Sequence, residues 1–398
     1  MTTRRAFLKS GSLAAVALGV GSVPTFVNRA AASVVGAPFV RKKVLVGLFQ
    51  RGAMDGLAAV QPMGRDDLAQ LRPNLYLRDG LVDLKAGLNG IDYGLHPALA
   101  PLASFFRDGQ LAIVHGVGSP DPTRSHFDAQ DYMELGTPGR KSTASGWLAR
   151  AAGALGHDAH SPSPLAAVAL TPALPRSLTG FGDALAVADL DVFALHGVCT
   201  APAENRNAFA AAERLRRCHA DVPRGTDYPA TALGQNLEQI ARLVKGGVGL
   251  EIAFAEMGGW DTHVGQGGLQ GAFARQAHDL AQSLAAFYAD LGAFASDVVV
   301  MTMTEFGRTV RANGSGGTDH GRASAMFVLG DGVRGGLYGS VGGFSPDALE
   351  DQRDLPVTTD FRRVFAGVAA GHLGVDTQAL FPGFDEPPLA LIRRTLVG

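Results

Sequence analysis

The sequence predicts an α/β fold whose strand ends carry the chemistry, and three observations support that reading. Helix and strand patterns alternate: Pro97 to Phe106 sets Leu99, Leu102 and Phe106 on one side, Asp108-Gly109 ends it, and Leu111-Ala112-Ile113-Val114-His115 follows as an apolar strand. The run from Val298 to Thr304 is β-rich and ends directly in Glu305, and ligands in open α/β sheets gather outside the carboxyl ends of such strands. Around it lie three compact clusters of metal-ligand residue types: Gly258-Gly259-Trp260-Asp261-Thr262-His263, Thr304-Glu305-Phe306-Gly307-Arg308 and Gly317-Thr318-Asp319-His320-Gly321.

In chain order, Lys43 to Phe49 reads as a buried first strand, and the loop Gln50 to Gly56 sets Asp55 beside a glycine, suited to close approach. Ser119 to Arg124 is irregular because of Pro120 and Pro122, and Ser125 to Leu135 is a helix that begins at Ser125 and ends at Gly136. Asp128, three residues after Ser125, fits a variant of the capping box, so a capping role for Ser125 stands beside a chemical one. Leu165 to Leu170 is a further strand. Ala201 to Ala220 and Thr226 to Lys245 are helical, the second with Leu233, Leu237, Ile240 and Val244 in register, and together they form a helical insert over 201–246. Val248 to Phe254 is a strand leading toward Asp261 and His263. Leu269 to Leu291 is a helix whose stripe of Phe273, Ala277, Leu280, Leu284, Phe287 and Leu291 belongs to the core. Ala325 to Gly330 is the next strand, and Asp360 opens a helix reaching about His372.

The first 32 residues read as an address. Thr3-Arg4-Arg5-Ala6-Phe7-Leu8-Lys9 carries paired arginines, Gly11 to Phe26 is apolar and small, and Ala30-Ala31-Ala32 offers a cleavage site, the pattern of a twin-arginine signal peptide. The apolar stretch is short and interrupted by Pro24, so no stable membrane span is expected after cleavage. Cleavage removes Arg4, Arg5, Lys9 and Arg29 and no acid, which leaves 31 basic against 37 acidic residues and a formal charge of −6. That balance argues against nucleic acid as a partner. The expected location is periplasmic or extracellular, with the twin-arginine machinery as export partner. Cys199 and Cys218 are the only cysteines, and both a pair and two buried thiols are open to them. By length residues 33–398 could make one large α/β domain or two smaller ones and no linker decides it; a single domain is the expectation.

A hydrolase of phosphate or sulfate esters needs cations to neutralise non-bridging oxygens and a nucleophile in line with the leaving group. Carboxylates and imidazoles suit Zn²⁺ or Mn²⁺. Asp261 and His263 lie two apart and reach the same side of an extended loop, Asp319 and His320 supply a second pair, and Asp55 and Glu305 supply lone carboxylates. Ser125 at a helix N-terminus would lie near backbone N–H groups and a positive dipole, as a nucleophile needs. Arg51 and Arg308 are candidates to clamp an anionic ester, or to pair with neighbouring carboxylates. His157-Asp158-Ala159-His160 reads as a solvated loop, and His96 and His115 as capping or packed histidines.

The twin-arginine start, Arg51-Gly52-Ala53-Met54-Asp55-Gly56, Arg124-Ser125-His126-Phe127, Gly259-Trp260-Asp261-Thr262-His263, Glu305-Phe306-Gly307-Arg308 and Gly317-Thr318-Asp319-His320-Gly321 resemble the bacterial domain-of-unknown-function 1501 proteins over nearly the whole mature chain. That family is similar in turn to the alkaline phosphatase superfamily of phosphatases, arylsulfatases and cofactor-independent phosphoglycerate mutases. The resemblance implies a three-layer α/β/α sandwich, alkaline phosphatase-like, with a mostly parallel central sheet and one or two divalent metals, Zn or Mn, at the strand ends. It also implies Ser125 as nucleophile, Asp55, Asp261, His263, Glu305 and His320 as the metal set, to which the Asp319-His320 pairing adds Asp319, and a small anionic ester as substrate. Phe306 stands where the superfamily's Asp-His pair has its histidine, and Pro120 where a formylglycine sulfatase carries Cys or Ser. The expected function is hydrolysis of phosphate or related esters; the alternative is a non-catalytic secreted binding or assembly protein that retains the fold.

Overall fold

A computed structural model describes residues 41–156, 165–190, 222 and 225–393. The export signal, the His157/His160 pair, Cys199, Cys218 and the helix expected over 201–220 lie outside these residues. From the amino end, β1 (Val44–Gln50) leads through the short α1 (Gly56–Ala59) into a small antiparallel sheet of β2 (Val60–Pro62), β3 (Val82–Leu88) and β4 (Ile91–Leu95), ordered β2-β4-β3. β5 (Leu111–Gly118), α2 (His126–Leu135) and α3 (Trp147–Ala154) follow. Next come β6 (Ala167–Ala169), β7 (Ala184–Ala186), α4 (Ala232–Lys245), β8 (Ile252–Met257), α5 (Ala272–Leu291) and β9 (Val298–Met303). The chain continues through β10 (Ser324–Leu329), β11 (Gly336–Gly339) and β12 (Thr359–Asp360) to α6 (Phe361–Val368).

The central sheet runs β11-β5-β10-β9-β1-β8-β6-β7, with β12 continuing beside β5. Every pairing in it is parallel except those of β10, which runs antiparallel to both β5 and β9. β1 sits at the centre, Leu45 lying between Ile252 of β8 and Val299 of β9. Its side chains alternate between two cores, as the period of a strand requires. Val44, Val46 and Leu48 pack with Leu233, Leu237 and Ile240 of α4 and with Phe273, Leu280 and Phe287 of α5. Leu45 and Phe49 pack on the opposite face with Trp147, Leu148, Phe361 and Phe365 from α3 and α6. These are the three layers of an α/β/α sandwich with a mostly parallel sheet, each large buried side chain contributing about 1.5–3 kcal/mol.

Several element boundaries differ from the sequence reading, and the helix expected from Thr226 begins at Ala232, where the Thr231 hydroxyl caps it by accepting from the Gly234 N–H. The strand expected from Val248 begins at Ile252, because Gly247 (φ 60°) and Gly249 (φ 82°) take left-handed backbone that a strand cannot hold. Pro97 to Phe106 is not one α-helix: Pro101 has no N–H to donate, and Pro97–Leu102 forms a 3₁₀ segment before a single α-turn. The long helix begins at Ala272 rather than Leu269, since Gly271 is at φ 136°.

Candidate metal centre

The direction of the strands brings the chemistry to one edge. β1, β8, β9 and β5 all release their chains at their carboxyl ends on that edge, and antiparallel β10 starts there, so the 304–323 loop leaves β9 and returns to the same place. The loops carrying Asp261 and His263, Glu305, Asp319 and His320, and the start of α2 at His126 therefore meet despite their separation in sequence. Gly52 makes the approach possible: a Cβ there would lie 2.5 Å from the Asp261 nitrogen, and its own N–H donates to Glu305 Oε1 at 2.9 Å.

One ligand atom from each of His126, Asp261 and His320 lies within 4.8 Å of the others. His126 Nε2 is 3.0 Å from His320 Nε2 and 3.4 Å from Asp261 Oδ2. His263 adjoins this group, its Nε2 2.9 Å from His320 Nε2 and 3.0 Å from Asp261 Oδ1. The far nitrogen of each ring is anchored. His126 Nδ1 donates to Glu305 Oε1 (2.7 Å), His263 Nδ1 to Asp319 Oδ1 (2.9 Å), and His320 Nδ1 to the Arg124 carbonyl (2.9 Å). These acceptors assign the tautomers: with hydrogen on each Nδ1, every neutral Nε2 is a bare lone pair. Lone pairs facing one another at this range repel, and a shared cation or proton relieves them. An imidazole held at Nδ1 by a carboxylate or carbonyl, with Nε2 turned inward, is the usual arrangement of a metal-binding histidine. The donor set thus fits a divalent cation.

The electrostatics agree with this division of labour. His126 is raised above the ordinary histidine range, chiefly by its hydrogen bond to Glu305. Burial and the neighbouring His126 charge lower His320, although its bond to the Arg124 carbonyl acts the other way. Burial alone would raise Glu305, but hydrogen bonds from His126, Gln130 and the Gly52 N–H outweigh it and hold the carboxylate ionised. At Asp261 burial likewise acts upward and is overcome by Arg308, His263 and His126.

Several residues expected as ligands or clamps have other work here. Glu305 is fully buried and spends Oε1 on Gly52, His126 and Gln130, so it orients an imidazole instead of facing the shared point. Asp319 does the same for His263, with Asn313 Nδ2 at 3.1 Å. Asp55 stands apart from the cluster: Oδ1 caps α1 by accepting from Leu57 and Ala58, and Oδ2 accepts from Arg72 and Gln266, both at 2.7 Å. Arg308, buried, donates to Asp261 Oδ1 at 2.6 Å and to the hydroxyl and carbonyl of Thr318, so it holds Asp261 in place and is not presented to an ester. Arg51 is paired with Glu134 (3.0 Å) and Glu256 (2.6 Å). Of the expected set, then, Asp261 and His320 join the metal-sized group and His263 borders it.

Ser125 precedes His126 at the N-cap of α2, partly exposed, and its side chain makes no capping hydrogen bond; its N–H donates to Thr123 Oγ1 at 3.2 Å. The residues the sequence reading passed over are His126 and Gln130. His126 was visible only as the companion of Ser125. Gln130 lies four residues on, one turn along the same helix face. Its Oε1 accepts from Arg51 Nη1 (3.0 Å), which turns its Nε2 toward Glu305 (2.9 Å). Phe306 packs on His126 and His320 with ring centroids 4.9 and 5.1 Å away.

Fold and cluster together define a three-layer α/β protein with a candidate metal centre outside the carboxyl edge of its sheet. The chain belongs to the family described as protein of unknown function (DUF1501), which matches residues 110–382. No curated protein matches it. Among solved structures it is similar to the lipoteichoic acid synthase LtaP from Listeria monocytogenes, at 10% identity and TM-score 0.32 over 84% of this chain and 80% of that one. It is also similar to the PsFucS1 sulfatase from Pseudoalteromonas sp., at 11% identity and TM-score 0.35 over 92% of this chain and 75% of that one.

Proposed function

We propose that the chain is an exported, metal-dependent hydrolase of phosphate or related esters with Ser125 as nucleophile. The observation that carries the reading is the inward turn of the His126 and His320 Nε2 atoms beside Asp261, each ring pinned at Nδ1. His126, Asp261 and His320 hold the ion, with His263 beside them. A bound Zn²⁺ or Mn²⁺ supplies charge neutralisation for the ester's non-bridging oxygens. The protein's own residues do the rest: Glu305, Asp319 and the Arg124 carbonyl orient the rings, and Arg308 holds Asp261. The Ser125 hydroxyl, unspent on capping and placed at the positive end of α2, is suited to attack an anionic ester. The order of motifs along the chain, with its resemblance to the alkaline phosphatase superfamily, supports the same reaction class.

Twin-arginine export to the periplasm or beyond belongs to this proposal and is supported by Arg4-Arg5, the apolar run after them and Ala30-Ala31-Ala32. No helix among the described residues is long and apolar enough to cross a membrane.

The rival reading, a secreted binding or assembly protein without turnover, is favoured by one observation: Arg51 and Arg308 both already face carboxylates, so neither is left to clamp an anion. Turnover of p-nitrophenyl phosphate and bis-p-nitrophenyl phosphate separates the two. The hydrolase reading expects activity in the metal-loaded wild type that Ser125→Ala abolishes while metal content stays the same. A full metal complement with no turnover of phosphate, phosphonate or sulfate esters supports the rival.

A further inference from the structure

We propose that the turn over residues 350–354 is a clasp that sets the His320 ring and the backbone of Ser125 against the shared ion, with Asp354 as its positioning residue. The inference rests on the proposed metal centre and nucleophile for its consequence, and extends them to a segment outside the site. Asp354 is fully buried, and a carboxylate in that setting has to be paired and hydrogen-bonded. Two arginines meet the need. Arg124 donates to Oδ2 through Nε (2.9 Å) and Nη2 (2.6 Å), and Arg353 donates to Oδ1 through Nε (3.1 Å). Each arginine then reaches His320 by another route. The main-chain carbonyl of Arg124 accepts from His320 Nδ1 at 2.9 Å, and Nη2 of Arg353 donates to the His320 carbonyl. One buried carboxylate therefore governs both the ring and the backbone of a single ligand. Ser125 follows Arg124 directly in the chain and is carried by the same hold.

The turn itself is closed and anchored. Glu350 and Asp354 exchange backbone hydrogen bonds, both at 2.9 Å, and between them Asp351 (φ 53°) and Gln352 (φ 55°) take left-handed backbone. Adjacent non-glycine residues in that region persist only where the surroundings hold them, and such strain gathers at functional sites. Here the surroundings are the two segments being joined. The Arg353 carbonyl accepts from the Val310 N–H (3.1 Å) and the Leu355 carbonyl from the Ala323 N–H (3.2 Å), which ties the turn to the 304–323 loop. Glu350 Oε1 accepts from Arg322 Nε at 2.7 Å, and Nη1 of Arg322 reaches the Asp121 carbonyl. Asp351 Oδ2 adds a further bond from Arg124 at 2.7 Å. The irregular segment before α2 and the loop after β9 thus meet through this turn. What marks positioning, beyond joining two loops, is that both arginines held by Asp354 end on His320.

The test follows the histidine rings by nitrogen-15 NMR in metal-free mature protein, beside zinc affinity measured with a competing chelator. The His320 Nδ1–H signal, assigned by its loss in His320→Gln, is expected in slow exchange in the wild type and broadened or lost in Asp354→Asn. The signals of His126 and His263, whose Nδ1 partners are Glu305 and Asp319, should stay. Zinc affinity should fall about tenfold, the effect of loosening a group behind a ligand. Arg353→Ala removes a half-exposed side chain and its bond to the His320 carbonyl, so it keeps the question open to measurement even if Asp354→Asn does not fold. It should shift the His320 signal and weaken zinc to a smaller extent. An unchanged His320 signal in the folded variants, an unchanged zinc affinity, or an equal loss of all three ring signals would assign the turn to stability alone and overturn the proposal. A wild type that binds no zinc removes the metal reading, while the ring signals, read without metal, still decide whether the clasp exists. Absence of p-nitrophenyl phosphate turnover removes the hydrolase reading alone.

Discussion

Asp55 and Asp261 occupy comparable places and do opposite things. Each follows a parallel strand of the central sheet, β1 or β8, on its carboxyl side, and each is paired with a buried arginine, Asp55 with Arg72 at 2.7 Å and Asp261 with Arg308 at 2.6 Å. The Asp55 side chain is 1% exposed and both oxygens are used, on two backbone N–H groups, Arg72 and Gln266. The Asp261 side chain is 43% exposed, and its Oδ2 still faces His126 Nε2. A carboxylate at a strand end becomes a candidate ligand only when lone pairs remain after its structural bonds are made. The two nodes are also joined: Gln266, bound to Asp55, accepts from the hydroxyls of Thr262 and Thr318, the neighbours of Asp261 and Asp319. The sealed node therefore supports the loops that carry the open one.

The largest expected effect breaks the sealed node. Asp55→Ala leaves Arg72 buried without its carboxylate and should cost about 3–5 kcal/mol in denaturant unfolding, equally with zinc and with chelator. A cost that appears only in the zinc-loaded protein would return Asp55 to the ligand set.

Next comes a contrast between imidazoles. The cluster rings each have a partner at Nδ1, whereas His115, fully buried on β5 against Tyr93 with no partner at Nε2, is pushed by burial down to about 4. The unfolded chain takes up a proton near pH 6.5 that the native state refuses until about pH 4. Stability should therefore fall as the pH drops through that window, by up to about 3 kcal/mol from this residue, and no further below it. His115→Leu should flatten that part of the unfolding profile; an unchanged slope would show that His115 is not its source.

The third effect sharpens the division between ligands and the groups that orient them. Glu305→Ala should weaken zinc binding by about 10–100-fold, because His126 loses the carboxylate that fixes its ring, and Asp319→Ala, which frees His263 beside the ion, should weaken it less. A fall in melting temperature with unchanged zinc affinity would make these bonds purely structural.

The smallest effect concerns two helix N-caps. Thr231 caps α4 through its hydroxyl, accepting from the Gly234 N–H at 3.1 Å, and Thr231→Ala should cost about 1 kcal/mol. Ser125 makes no such bond at α2, so Ser125→Ala should change stability by less than about 0.5 kcal/mol. A loss equal to that of Thr231→Ala would assign Ser125 to capping.

What the sequence made legible was what neighbouring residues determine. The apolar period of α5 and the β-rich run before Glu305 are local patterns, and both elements stand within a few residues of the expected bounds. Asp261 and His263, two residues apart, declared a shared side. The role of Glu305 was not legible, and the carboxylate pairing left open for Arg51 and Arg308 could not be decided, because each depends on a partner far away in the chain: His126 is 179 residues from Glu305, Glu134 is 83 from Arg51, and Asp261 is 47 from Arg308. His126 escaped for the same reason. Its neighbours spell a helix start, and only the folded sheet edge sets its ring beside His320. The boundary errors at Val248 and Pro97 were local, and glycine and proline backbone preferences account for both.

The central claim is that His126, Asp261 and His320 share one divalent ion. Zinc titration of the mature protein with a competing chelator, run beside His126→Ala and His320→Ala, tests it most directly. The expected result is one tight site in the wild type, weakened at least about 100-fold in each variant while both stay folded, because each loses a ligand atom from the shared point. Wild-type protein that binds no zinc or manganese, or variants that bind as tightly as the wild type, would contradict the account.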